Sequence, residues 1–199
     1  PASSSTAAPS ASAAPASETA TADSSEPKTL ADEAVGDRVE VCAEGMAVMQ
    51  QLAERISRST GAILAIDYGN DFAAQDSLRA ISKHEFVHPL QSPGECDLTA
   101  DVDFHMLRKT AMAAKPDIEA WGPVTQNEFL HNMGIGPRMA QLLKAHEHDE
   151  EAVERMIQAY HRLTDEDQMG SVYKVMAVVH NSAQWAPGFE EWHRHRQQS

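Results

Sequence analysis

Apolar positions follow two rhythms in the first half of this chain. Met46, Met49, Leu52, Ala53 and Ile56 recur at helical spacing, whereas Ala62 to Ile66 form an unbroken run directly after Gly61. The first pattern predicts an amphipathic helix; the second predicts a strand covered on both faces, as in a parallel sheet flanked by helices. Ahead of both, Arg38-Val-Glu-Val-Cys42 alternates as a short strand does. Strand, helix, strand is the order of an α/β sheet.

Further along, Leu78 to Ile81 reads as a strand and Pro93-Gly94 as a turn. Phe104, Leu107, Ala111 and Ala114 mark one face of a helix, with Asp101 or Asp103 near its N-terminus as the cap. Ile118 to Val124 reads as a strand ending at Gly122-Pro123, and Thr125-Gln-Asn-Glu128 matches a capping box for a short helix that buries Phe129, Leu130 and Met133. Gly134-Ile-Gly136-Pro137 is expected to end that helix. Met139, Leu142 and Leu143 predict another helix; Val153, Met156, Ile157, Tyr160 and Leu163 predict one more, with Glu151 and Arg155 paired on its outer side. Val172 to Val179 is a second buried strand whose one charged member is Lys174. In the tail, Trp185, Phe189 and Trp192 are expected to dock on the domain.

Composition narrows the function classes. The chain has 199 residues, 16 Lys and Arg against 30 Asp and Glu, and a formal charge of -14, which disfavours a nucleic-acid backbone as partner. No apolar run approaches the ~20 residues that span a bilayer. Cys42 and Cys96 make neither a metal-ligand spacing nor a disulfide framework. His84 and His88 could share a helix face, but Pro89 argues against a helix there, so no metal site is expected. Residues 1–36, rich in Ala, Ser, Pro and Thr, predict a disordered segment unlike a transit peptide; 37–182 predict the folded domain and 183–199 a C-terminal tail. A chain that opens on Pro1 rather than methionine is expected to be processed or partial.

The candidate chemistry gathers at the ends of strands. Asp67 and Tyr68 follow the Gly61 strand directly, where α/β sheets place their ligands; the plainer alternative is that Asp67 starts a turn. Asp97-Leu-Thr-Ala-Asp-Val-Asp-Phe104 packs three aspartates into one short segment, and Asp97 and Asp101 could line a cleft for a cationic group.

The ordered blocks resemble a methyltransferase family that includes the mitochondrial complex I assembly factor acting as a protein arginine methyltransferase. The resemblance runs through Arg38-Val-Glu40, Ile66-Asp67-Tyr68-Gly69, Pro93-Gly94-Glu95, Asp97 to Phe104, Gly122-Pro-Val-Thr-Gln126, Phe129-Leu130, Met133-Gly134-Ile135 with Arg138, and Gln168-Met169-Gly170. It implies the C-terminal half of a Rossmann-like, class I methyltransferase fold, α/β with a mixed sheet and extra helices. The Gly61 strand would be fifth in that sheet, and the Ile118 and Val172 strands its antiparallel end. It further implies S-adenosylmethionine as methyl donor and symmetric dimethylation of an arginine on a core subunit of respiratory complex I, in the mitochondrial matrix. On this mapping Asp67 and Tyr68 are the candidate catalytic residues, with Asp97, Asp101 and Gln126 on the substrate side. The family's glycine-rich donor loop does not occur here, since no strand leads into Gly-x-Gly-x-Gly. Weak binding of the donor by this chain is therefore expected. The alternatives are a catalytically silent assembly or scaffold protein and a small-molecule methyltransferase.

Overall fold

The structure, a computed structural model, describes residues 39–73, 75–183, 186–190 and 192. In chain order the elements are α1 (Ala43–Ser59), β1 (Ala62–Asn70), β2 (Arg79–Ser82), β3 (Glu85–Val87), β4 (Asp97–Thr99), β5 (Val102–Asp103), α2 (Phe104–Ala114), β6 (Ile118–Thr125), α3 (Gln126–Asn132), α4 (Ile135–Ala145), α5 (Glu150–Thr164), α6 (Met169–Val172) and β7 (Tyr173–His180). The described residues divide into a small unit, 77–100, and a larger one containing the rest. The small unit is an antiparallel sheet in the order β3-β2-β4. Its β2–β3 hairpin turns on Lys83 and His84, both with positive φ, as the tight turn that matches strand twist requires.

The larger unit is a mixed sheet in the order β5-β1-β7-β6. β7 lies antiparallel between β1 and β6, as the family mapping anticipates, while β5 runs parallel to β1 and pairs only with Gly69 and Asn70. On one face, Phe104 and Ala111 of α2 and Met49, Ala53 and Ile56 of α1 bury against Met176, Val178, Ile118 and Ala120, with Ile63 and Ala65 of β1 packed alongside. On the other face Trp121, Val124, Val175, Ala177 and Val179 are covered by Phe189, Ala186, Trp192 and Phe129. The predicted docking of Phe189 and Trp192 is thus observed, Trp192 lying 5.8 Å from Trp121 between ring centroids. Trp185 falls outside the described residues.

Three expectations need correction. Residues 39–42 form no strand: Cys42 instead caps α1, its Sγ accepting the Gly45 N–H at 3.3 Å. A short alternating stretch has strand character only beside a partner strand, and none pairs with it among the described residues. Second, β1 is not covered on both faces. Ile63 and Ala65 face the α1–α2 core, but Leu64 and Ile66 are each 50% exposed. An apolar run records what a strand is made of, and coverage depends on neighbours. Third, only Gly134, at φ +85, stops α3; Gly136 and Pro137 lie in the first turn of α4, where the missing proline N–H loses no helical bond.

Other signals are realised as read. Asp103 is the cap of α2, its Oδ1 accepting the Met106 N–H at 2.9 Å. Thr125 caps α3 by accepting the Glu128 N–H at 3.2 Å, and Glu151 pairs with Arg155 on exposed α5.

Candidate active site at the end of strand β1

β1 carries Asp67, Tyr68 and Gly69 to the rim of the larger unit. Asp67 is half-buried, and its Oδ1 accepts the Tyr68 backbone N–H at 2.8 Å. A carboxylate held by its own neighbour's amide keeps a defined orientation. Tyr68 meets Tyr173 edge to face, ring centroids 5.7 Å apart, across the β1–β7 pair. Gly69 explains the tight end of the motif. A Cβ there would lie 2.1 Å from the Val102 backbone oxygen, so only glycine lets β5 approach and seat the segment around Asp101 beside β1.

Lys174 of β7 stands opposite Asp67 on one side and Thr125 on the other. Directly opposed residues project to the same face of a sheet, so the ammonium stem shares a face with the Asp67 carboxylate. Its Nζ donates to the Ser171 carbonyl. Burial lowers its pKa, and the nearby negative charge of Asp101 partly restores it. Lys174 and Asp101 thereby interact through their charges at the strand ends, with Asp67 opposite Lys174 in the strand register and Thr125 and Gln126 at the matching end of β6.

A second cation fixes the loop after β1. Arg108 of α2 donates from Nη1 to Asp71, with approaches of 2.9 and 3.0 Å to its two carboxylate oxygens, and to the Gly122 carbonyl at 3.0 Å. One side chain thus clips the loop beyond β1 to β6.

Gln126 occupies a more buried setting than the half-buried Asp67 and Asp101. It is buried, and its Nε2 donates to the Leu163 carbonyl at 2.9 Å, leaving its side-chain oxygen for any further contact. Asp97 is the first residue of β4, in the small unit, and is exposed. Lys174 was visible in the sequence as the lone charge in an apolar strand, a signal of a purposeful polar site. Arg108 and Tyr173 had no such signal, since their roles arise from contacts far apart in the chain. Among the described residues no group of His, Cys, Asp or Glu could hold a metal ion, and no helix is long and apolar enough to cross a membrane.

Residues 3–124 match a family model described as "Putative S-adenosyl-L-methionine-dependent methyltransferase". The chain belongs to this methyltransferase family. It is similar to the curated protein arginine methyltransferase NDUFAF7, mitochondrial, of Danio rerio, with 40% identity over 72% of this chain and 33% of the relative. The Homo sapiens protein of that name is 35% identical over 72% of this chain and 32% of its own length. The chain therefore spans about a third of the curated relatives it matches. Two crystal structures from Burkholderia thailandensis share the fold. One, a native structure, superposes at TM-score 0.65 with 23% identity over 82% of this chain and 46% of that one. The other, bound to S-adenosyl-homocysteine, gives 0.61 with 24% identity over 72% and 37%.

Against the donor that the family's description names, the described residues of this chain make an incomplete fit. A bound nucleoside and sulfonium need a glycine-rich turn where backbone amides approach the ligand. Here α1, the helix preceding β1, is entered from an irregular segment capped by a cysteine. The acids and tyrosines at the end of β1 can instead orient a cationic acceptor.

Proposed function

We propose that this chain forms the acceptor side of a protein arginine methyltransferase that works in mitochondria with S-adenosylmethionine as methyl donor. The observation that carries the reading is the coincidence of an oriented carboxylate, Asp67, with a second acid, Asp101, beside one strand end, in a chain 35–40% identical to proteins named for that activity. The finer reading is symmetric dimethylation of an arginine on a complex I core subunit, in the matrix. The family resemblance and the mitochondrial naming of the relatives support it.

An acceptor guanidinium is planar and presents its N–H groups as a fork that matches a carboxylate with two parallel hydrogen bonds. In this reading Asp67 and Asp101 receive that fork, and Tyr68, braced by Tyr173, walls the site. Gln126 sets the end of β6 beneath it. Lys174 balances the charge of the two acids until the guanidinium arrives. Orientation of the acceptor nitrogen is the contribution these residues can make, since methyl transfer is sensitive to alignment.

A second reading is a catalytically silent assembly protein that uses the same rim residues to hold a cationic partner group without methylating it. A graft separates the two. Residues 39–192 replace the matching third of the Danio rerio relative, and methylation of an arginine peptide is followed by mass spectrometry. The enzymatic reading expects an active chimera that Asp67→Ala slows by about 100-fold while leaving its melting temperature within a few degrees. A folded but inactive chimera would establish the silent reading. Calorimetric titration of the 199-residue chain itself with S-adenosylmethionine is expected to give no saturable heat at micromolar donor.

A further inference from the structure

The helices between β6 and β7 carry a feature that methyl transfer does not use. α3, α4 and α5 enclose a groove of about 380 Å³ whose lining includes Met133, Met139, Leu142, Met156 and Leu163, with Arg138 at its rim. These side chains are not closed over by the rest of the unit: Met133 is 54% exposed, and Leu142 and Leu163 more than a third exposed. α4, despite its amphipathic sequence, buries no residue at all. A helix with an apolar stripe is stable when something covers that stripe.

The groove is rigidly framed. At the start of α3, Gln126 donates to the Leu163 carbonyl and Asn127 to the Thr164 carbonyl, tying it to the end of α5. His131 links the same two helices: its Nδ1 faces the Asn127 carbonyl, which can only accept, so Nε2 accepts from the Tyr160 hydroxyl at 3.0 Å. The walls are therefore set before any partner arrives, which reduces the ordering cost of binding.

From this we infer that the α3–α4–α5 groove docks an amphipathic α-helix of a polypeptide partner, one bearing an acidic residue beside its apolar stripe. Charge complementarity selects that chemistry. Arg138 is exposed, and no carboxylate of the described residues pairs with it, although acids outnumber basic residues 30 to 16 in the chain. A guanidinium at the edge of an apolar groove offers a two-pronged site for one carboxylate. Methionines at the contact adapt to varied apolar anchors, as helix-binding grooves require. The open lining suits a broad ligand, whereas pockets for an acyl chain envelop most of its surface. The docking surface is independent of methyl transfer and stands or falls on its own.

A designed helical peptide with leucines at i, i+3, i+4 and i+7 and a flanking glutamate tests it, titrated into the 199-residue chain with fluorescence anisotropy as readout. Saturable binding is expected, at least about tenfold tighter than for the same peptide with lysine in place of glutamate. Arg138→Glu, a surface change that leaves the fold intact, should invert that preference. Met139→Asp should weaken binding of the glutamate peptide by about tenfold or more with an unchanged far-ultraviolet circular dichroism spectrum. Methyl-labelled Met133, Met139 and Met156 should shift on titration. An unaltered preference after the Arg138 charge swap would overturn the proposal. So would decanoate binding more tightly than the peptide, or sedimentation revealing a dimer that Met139→Asp dissociates.

Discussion

Gly69 and Lys174 illustrate how much a single position decides here. Gly69 lets β5 touch β1, and an added methyl group would run into three backbone atoms of Val102. Gly69→Ala is therefore expected to cost about 1–3 kcal/mol, read as a lower urea midpoint with an unchanged slope. Lys174 contributes through its charge. Burial holds its pKa below the ordinary value of 10.5, so in the alkaline interval below 10.5 the unfolded chain binds more protons than the folded one. Stability attributable to this group then rises with pH through that interval and is lowest where Lys174 is fully protonated in the fold. Chemical denaturation at a series of alkaline pH values should show this rise in the native chain, and Lys174→Met should lack that component of it.

At the scale of elements, the caps and the covering segments carry the testable content. Thr125 caps α3 at the end of β6, so Thr125→Ala should destabilise by about 1 kcal/mol. The change also loosens the α3–α5 frame, because Gln126 and Asn127 follow directly. Phe189 is 1% exposed and lies 5.5 Å from Phe129 between ring centroids, sealing one face of the sheet. Phe189→Ala is expected to cost about 3–5 kcal/mol, measured by thermal or urea unfolding. Elements with a strong local cause were legible in advance. The helical spacing of Met46 to Ile56, the apolar runs of β1 and β7 and the Thr125 cap all describe what neighbouring residues do to one another. The stretch at Val39 to Cys42 was misread because strand character there depended on a partner the pattern could not supply.

The larger unit as a whole presents an incompletely covered sheet. β1 pairs with β5 only at Gly69 and Asn70, so among the described residues its edge from Ala62 to Tyr68 has no strand on that side. Leu64 and Ile66 lie half exposed on the adjoining face. An open edge beside exposed apolar residues is a template for association between chains. Ile66→Lys should thus leave stability within about 0.5 kcal/mol while reducing concentration-dependent self-association in sedimentation velocity.

Of the candidate site, the sequence alone determined that an apolar strand delivers Asp67 and Tyr68 to a rim, and that aspartates gather before a helix. Those features come from interactions within a few residues, which local chemistry decides. Only the tertiary structure decided that Lys174 faces Asp67 from the neighbouring strand, that Arg108 clips Asp71 to Gly122, and that Gln126 spends its amide on α5. Register and packing select those pairs among residues up to about a hundred positions apart, and one residue's shift in strand pairing would turn every side chain to the opposite face.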